Sequence, residues 1–209
     1  MSTTTATDAL GAPAPVLSFS PVVLSVPGRP VDLQVRVSAP ATGTGLPVIL
    51  LSHGHGPSNN LSSLNGYAPL ANFWAAHGFV VVQPTHLTSR TLSHLVADAP
   101  GAPDFWRSRA EDMTHILDRL DVIETAVPQL AGRIDPTKVA LAGHSLGGFT
   151  AALLLGAGLN DPDTGSVVHL VEPRRTVSAA VRDLPQPRPV SSIHTVHSHR
   201  GCRCTARAW

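Results

Sequence analysis

Five residues in the second half of this chain, Gly143-His144-Ser145-Leu146-Gly147, set a serine hydroxyl in a spacing that can make it a nucleophile. They follow the apolar run Lys138–Ala142 (KVALA) and lead into an Ala/Leu-rich stretch, Leu146–Gly156, so Ser145 falls at a strand–turn–helix junction. Such a turn lifts the hydroxyl clear of the sheet. It also brings the backbone two residues before and two residues after the serine so close that only hydrogen fits as a side chain, a demand that Gly143 and Gly147 meet. A helix that starts at the serine aims N–H groups and the positive end of its dipole at developing negative charge, which makes the Leu146 amide an expected oxyanion donor. An incidental serine in a glycine-rich turn would show the same five letters; the flanking strand and helix favour the nucleophile.

A second group, Ser52-His53-Gly54-His55-Gly56, follows the apolar run Leu46–Leu51. The loop after that strand is where a hydrolytic serine of this kind finds its second oxyanion donor, and the His55 amide is the expected one. His53 reads as a structural hydrogen-bonder rather than the base, since the base follows the serine in this chain order. A metal pair at His53 and His55 lacks a third ligand at a readable position, so no metal is expected. His144, inside the motif, and His86, just past the run Phe79–Gln83, are candidates to line a pocket at the C-terminal edge of the sheet. Arg109 and Asp112, three apart on a predicted helix, read as a surface or packing pair.

The elements that must position these residues are legible from periodicity. Val16–Val26 and Val31–Ser38, split by Pro27-Gly28-Arg29-Pro30, predict an N-terminal antiparallel hairpin. Leu46–Ser52, Phe79–Gln83 and Lys138–Ala142 are continuous apolar runs, the pattern of strands buried on both faces. Tyr67–His77 is helical and ends at Gly78. Ser108–Leu130 places Met113, Ile116, Leu117, Leu120 and Ile123 at steps of three and four, which predicts one amphipathic helix. Alternation of apolar strands and helices predicts an α/β fold: a mostly parallel sheet with helices on both faces.

LLSHGHGP, NGYAPLANFWAAHGFVVVQPTHL, WRSRAEDM and VALAGHSLGG resemble segments of bacterial α/β-hydrolases related to chlorophyllases, platelet-activating-factor acetylhydrolases and cutinase-like polyester hydrolases. The resemblance spans roughly residues 16–170. It implies the α/β-hydrolase fold and hydrolysis of a small-molecule or lipid-like ester through an acyl-enzyme, with no metal or organic cofactor. It also supports His55 as an oxyanion residue, by its place after His53-Gly54.

The tail departs from that pattern. In chain order the acid and the base should follow Ser145, and Asp183 with His194, His197 or His199 stand in that order; Asp183 and His197 are the candidates. Only 64 residues follow Ser145, however, and the stretch after Leu170 is rich in Arg, Pro, Ser and His without usable periodicity. Residues 172–209 carry 7 Arg against 2 acids, whereas residues 1–171 carry 8 basic against 12 acidic residues. With 14 Arg and one Lys the chain looks GC-rich in coding, and such DNA read out of frame gives this composition. The expected organisation is therefore a disordered N-terminus (1–15), an α/β-hydrolase core incomplete at its C-terminus (16–171) and an aberrant basic tail (172–209). A non-catalytic remnant or binding domain that keeps the serine turn is the alternative.

Other classes find little support. The tail lacks the Lys density and aromatic interleaving of a nucleic-acid segment. The longest apolar runs fall far short of the ~20 residues that cross a bilayer, and the start has neither a basic n-region nor an apolar h-region, so a cytoplasmic setting is expected. Cys202 and Cys204 are too close for a relaxed disulfide. The sequence sets no oligomeric state.

Overall fold

The computed structural model describes residues 12–55, 64–99, 105–160 and 167–168. Five strands form its main sheet: β1 (Val16–Leu24), β2 (Leu33–Pro40), β3 (Leu46–Ser52), β4 (Val80–Pro84) and β5 (Ile134–Gly143), in the order β1-β2-β4-β3-β5. β1 and β2 make the expected hairpin, and β2 pairs antiparallel with β4. β3 lies parallel to both β4 and β5. Parallel pairing is thus confined to the three apolar runs, and the sheet is parallel at one side and antiparallel at the other. A short ladder pairs β6 (Leu159–Asn160) with β7 (Val167–Val168).

Alternation along the inner strands sorts side chains to two covered faces. Val48, Leu50, Val80, Val82 and Val139 pack with Met113, Ile116, Leu120 and Ile123. These belong to α3 (Trp106–Leu117) and α4 (Leu120–Ala126); Leu154 of α5 (Leu146–Leu154) joins them. Ile49, Leu51 and Val81 face the other way, onto Ala71 and Ala75 of α1 (Ala68–Ala76). The fifth helix, α2 (Ser93–Val96), is a single turn that adds Val96 to a small cluster with Leu87 and Phe105.

Two boundaries differ from expectation for local reasons. The amphipathic stretch Ser108–Leu130 is broken at Asp118 and Arg119, and again at Val127, where Pro128 forces the preceding residue out of the helical region (φ −123, ψ 83) into a 3-10 turn at Pro128–Leu130. Ile116 and Ile123 keep contact with the same cluster, so apolar periodicity survives the break that it conceals. Residues 14 and 15, expected within a disordered leader, are tied down: Ala14 N–H donates to the Ala76 carbonyl (2.8 Å) and the Pro15 carbonyl accepts from Ala41 N–H (2.8 Å).

The core predicts its own mutational response. Leu50→Ala, at a fully buried position of β3, should lower unfolding free energy by about 2–5 kcal/mol in a urea titration. Phe73→Ala, at a half-exposed position of α1, should cost no more than about 0.5 kcal/mol. Equal effects would mean that the layer between β3 and α3 is not packed as described.

Candidate functional site

The turn between β5 and α5 is where sequence and geometry meet. Ser145 has φ 53 and ψ −121, a conformation that side chains avoid, and it occupies the N-cap position of α5. Holding a non-glycine residue there costs about 1–3 kcal/mol, which the surroundings must over-determine. They do so by contact: a Cβ on Gly143 would lie 2.2 Å from the Gly147 carbonyl carbon and oxygen, and a Cβ on Gly147 would lie 2.0 Å from the Ser52 carbonyl oxygen. The start of α5 therefore rests directly on the end of β3. Hydrogen bonds close the turn, from Gly147 N–H to the His144 carbonyl (2.9 Å) and from Phe149 N–H to the Ser145 carbonyl (3.2 Å). Ser145 and His144 are exposed, and Leu146 half-buried.

The loop after β3 lies against this turn. A Cβ on Gly54 would meet His144 Nδ1 and the His144 carbonyl oxygen at 3.1 Å and Ser145 Cβ at 3.4 Å. His55 follows and is exposed; Gly56 lies outside the described residues. The structure thus brings His144, Ser145, Leu146 and the His53–His55 loop to one place. Asp183 and His197, with His194 and His199, lie outside the described residues.

Beneath the turn is a buried polar network that ties β3, β4, α3 and α5 together. Ser52 Oγ meets His86 Nε2 at 2.9 Å, and His86 Nδ1 donates to Asp112 Oδ2 at 2.8 Å. Asp112 also accepts from Arg29 Nε (2.9 Å). Arg109 donates from Nε to Thr150 Oγ1 (3.0 Å), from Nη2 to Ser52 Oγ (3.0 Å) and the His53 carbonyl, and from Nη1 to Thr88 Oγ1. His53 Nε2 accepts from His86 N–H (3.1 Å), and His53 Nδ1 donates to the Gly54 carbonyl (2.7 Å).

This placement corrects two expectations. His86 is wholly buried and spends both ring nitrogens on Ser52 and Asp112, so it braces the interior rather than lining a pocket. Arg109 and Asp112 are buried as well, yet they bond to different partners, because a long guanidinium reaches back to β3 while the shorter carboxylate stays with Arg29 and His86. Two contributors escaped the sequence. Arg29, in the Pro-Gly-Arg-Pro turn, contacts Asp112 and the Thr85 carbonyl (3.0 Å). Tyr67, the one tyrosine of the chain, accepts from Gly54 N–H (3.3 Å) and meets His144 Nδ1 at 2.9 Å. A lone tyrosine ahead of a helix was the available signal.

Burial sets the charges. Desolvation, aided by the neighbouring His86 and Arg109, lowers the His53 pKa to about 3. Burial, with Arg109 and Arg29 nearby, holds His86 well below 6.5. Asp112 is raised to about 6 by burial, against the pull of Arg29, and Arg109 is lowered by burial to about 10, so it stays charged. At neutral pH both histidines are therefore neutral donors and acceptors.

A serine held at positive φ where a parallel strand runs into a helix, on a sheet that begins with an antiparallel hairpin and crosses over as 4-3-5, defines an α/β-hydrolase. The chain belongs to the chlorophyllase family, whose model matches residues 23–185 and so runs past residue 171, where the composition changes. It is 29% identical over 142 residues to platelet-activating factor acetylhydrolase of Cavia porcellus, covering 52% of this chain and 31% of that protein. Among solved structures it is similar to a thermostable carboxylesterase cloned from a metagenomic library (23% identity, TM-score 0.47), which covers 70% of this chain and 42% of that one. A Pyrobaculum calidifontis esterase matches at 22% identity and TM-score 0.44, over 70% of this chain and 41% of that one. The chain spans about a third of the length of the curated relative and about two fifths of these structures.

Two outcomes follow. Gly147→Ala forces its new methyl into the Ser52 carbonyl and should destabilise by roughly 3 kcal/mol or more, or prevent folding, whereas Gly156→Ala, with open space around it but a φ of 91, should cost only about 1–2 kcal/mol and still fold. A Gly147→Ala protein as stable as the parent would show that the turn is not seated on β3. The pH response comes from the network. Folding keeps His53 and His86 unprotonated where the unfolded chain binds protons near 6.5, so each removes up to about 1.4 kcal/mol per pH unit on acidification below that value. Asp112 acts oppositely between about pH 6 and 4, where the folded state binds a proton that the unfolded state releases. Stability should fall on acidification through this window with the net slope of about one histidine, flatter in His53→Gln. A rise in stability toward pH 4, measured by urea unfolding, would contradict this.

Proposed function

We propose that this chain carries the nucleophile and oxyanion half of a serine-dependent carboxylic-ester hydrolase that works through an acyl-enzyme. The observation that carries the reading is the strained, exposed Ser145 at the start of α5, with its glycines in backbone contact. In this reading Ser145 Oγ attacks the ester carbonyl, the Leu146 and His55 amides hold the oxyanion, the alcohol leaves, and water then cleaves the acyl-serine. Family membership and the acetylhydrolase relative support a small-molecule or lipid-like ester as substrate. No metal or organic cofactor enters this scheme. Among the described residues no helix is long and apolar enough to cross a membrane; a cytoplasmic setting is part of the proposal.

The acid and base belong to the second half of such a site. The family match runs on to residue 185, but we assign the Arg/Pro/Ser/His composition of residues 172–209 to out-of-frame coding; in this reading Asp183 and His197 do not complete the triad and the serine hydroxyl lacks a base. Rate over water then rests on the oxyanion hole and substrate binding, a residual of about 10³–10⁴-fold.

Hydrolysis of p-nitrophenyl acetate tests both parts. Ser145→Ala should abolish acylation of the chain, read as loss of the acetyl adduct by mass spectrometry, and an adduct that persists would remove the nucleophile assignment. Asp183→Asn and His197→Asn should leave the residual rate unchanged. A loss of about 10⁴-fold in either would show a working triad and remove the out-of-frame reading. The coding DNA past codon 172 offers an independent check, since another frame should there restore apolar strand patterns.

A further inference from the structure

One of the two oxyanion donors assigned above is the backbone N–H of His55, which belongs to the peptide joining Gly54 to His55. In a trans peptide the carbonyl and the N–H point in opposite directions, so whatever fixes the Gly54 carbonyl also fixes the direction of the His55 N–H. The group on that carbonyl is the ring of His53, whose Nδ1–H donates to it at 2.7 Å. The ring is itself fixed: it is 3% exposed, its Nε2 accepts from His86 N–H at 3.1 Å, and it lies 5.0 Å from the His86 ring, centroid to centroid. The preceding peptide is held at both of its polar atoms. Arg109 Nη2 donates to the His53 carbonyl, and Gly54 N–H donates to Tyr67 Oη at 3.3 Å.

We infer that His53 is the positioning residue of the oxyanion hole, aiming the His55 N–H through the Gly54 carbonyl, with Arg109 and Tyr67 clamping the peptide before it. This rests on the hydrolase reading above and deepens it. Two successive peptide planes are immobilised by three side chains from three separate elements. The glycine between them leaves little room, since a Cβ there would lie 3.1 Å from His144 Nδ1 and the His144 carbonyl, so a bulkier residue would have to displace the serine turn slightly. The clamp therefore comes from the buried His53 ring at the start of the loop and from Arg109 and Tyr67 outside it. Its chemistry is suited to holding a carbonyl, since burial keeps the His53 ring neutral, with one proton, and that proton is committed to Nδ1 because a carbonyl can only accept. The same network connects the clamp to the nucleophile side, since Arg109 also holds Thr150 on α5 and Tyr67 Oη meets His144 beside Ser145. A donor fixed before the reaction begins needs no reorganisation as charge develops, which is what makes such a donor effective.

The test uses the full chain with p-nitrophenyl acetate and a ¹⁵N-labelled sample. His53→Leu removes the donor and should lower kcat by about 100-fold with KM little changed, the effect of losing one oxyanion donor. His53→Asn, which can place an amide N–H close to where Nδ1 was, should recover most of that loss. Tyr67→Phe, at a half-buried position where folding is not at stake, should give a smaller loss of the same kind and faster hydrogen exchange at Gly54 N–H. The His55 amide ¹⁵N resonance responds to hydrogen bonding at the Gly54 carbonyl of its own peptide, so it should move in His53→Leu and return in His53→Asn whatever the activity. An unmoved His55 resonance in a folded His53→Leu protein, or an unchanged kcat there, overturns the positioning role. If His53→Leu does not fold, Tyr67→Phe and His53→Asn decide: wild-type Gly54 exchange in the first, or a displaced His55 resonance in the second, overturns it. Ser145→Ala separates the two levels, because an acetyl adduct that persists in it removes the hydrolase reading, whereas an adduct lost there with kcat unchanged in His53→Leu removes only the positioning role.

Discussion

The structure depends on one crossing that has no room for a side chain: the β5–α5 turn passing over the end of β3. Gly147 lies against the Ser52 carbonyl, and Gly143 against Gly147, at distances where any Cβ would collide with backbone. Those contacts hold Ser145 at φ 53 against its own preference, and they also fix how far the β3 loop stands from the serine. Parallel register between β3 and β5, running Val48↔Val139 through Ser52↔Gly143, delivers both turns to the same sheet edge at the same height. Strain at the serine and proximity of the loop are thus two results of one packing constraint.

That crossing creates a second difficulty, because polar backbone at the end of β3 is buried beneath α3 and α5. Ser52, His53, His86, Arg109, Asp112 and Thr150 are all buried, and a buried polar group without a partner costs about 1–3 kcal/mol. Arg109 resolves much of this, since its fork reaches four oxygens from three directions. Burial, reinforced by Arg109 beside both and by Arg29 beside His86, keeps the two neighbouring histidines neutral and so able to accept as well as donate. Removing Asp112 would leave Arg29 and Arg109 close together without the carboxylate, the situation in which breaking a buried pair is most damaging.

The sequence made the framework legible because the framework is local. Apolar runs flagged β3, β4 and β5, and G-x-S-x-G in its strand–helix setting located the serine turn, each within a dozen residues. The partial alternation of Val16–Val26 and Val31–Ser38 about Pro-Gly-Arg-Pro sufficed for the hairpin, which the structure sets at Val16–Leu24 and Leu33–Pro40. What stayed hidden was long-range. Arg29 and Asp112 are 83 residues apart, Tyr67 and His144 are 77 apart, and nothing in the spacing of either pair marks them as partners. His86 was misjudged for the same reason: a histidine just past a strand can turn outward to a cleft or inward to the core, and the choice is made by Ser52 and Asp112 on other elements. The break in the stretch from Ser108 escaped because apolar spacing continues across it, keeping Ile116 and Ile123 on one cluster.

These dependencies divide the site into halves of different origin. Everything that shapes the serine turn and the loop facing it comes from residues 29 to 150: the glycine contacts, the Arg109 fork, the His53 and Tyr67 bonds. An acid and a base following Ser145 in the chain would reach this site from outside that set and would find its geometry already fixed. The strained φ of Ser145 needs only β3 beneath it and α5 behind it, so the turn can keep its form whatever the residues past 171 supply. That separation gives the alternative of a non-catalytic binding domain its physical sense. If the Leu146 and His55 amides act as the proposed donors, they can still hold an oxygen anion when no base draws the proton from the hydroxyl.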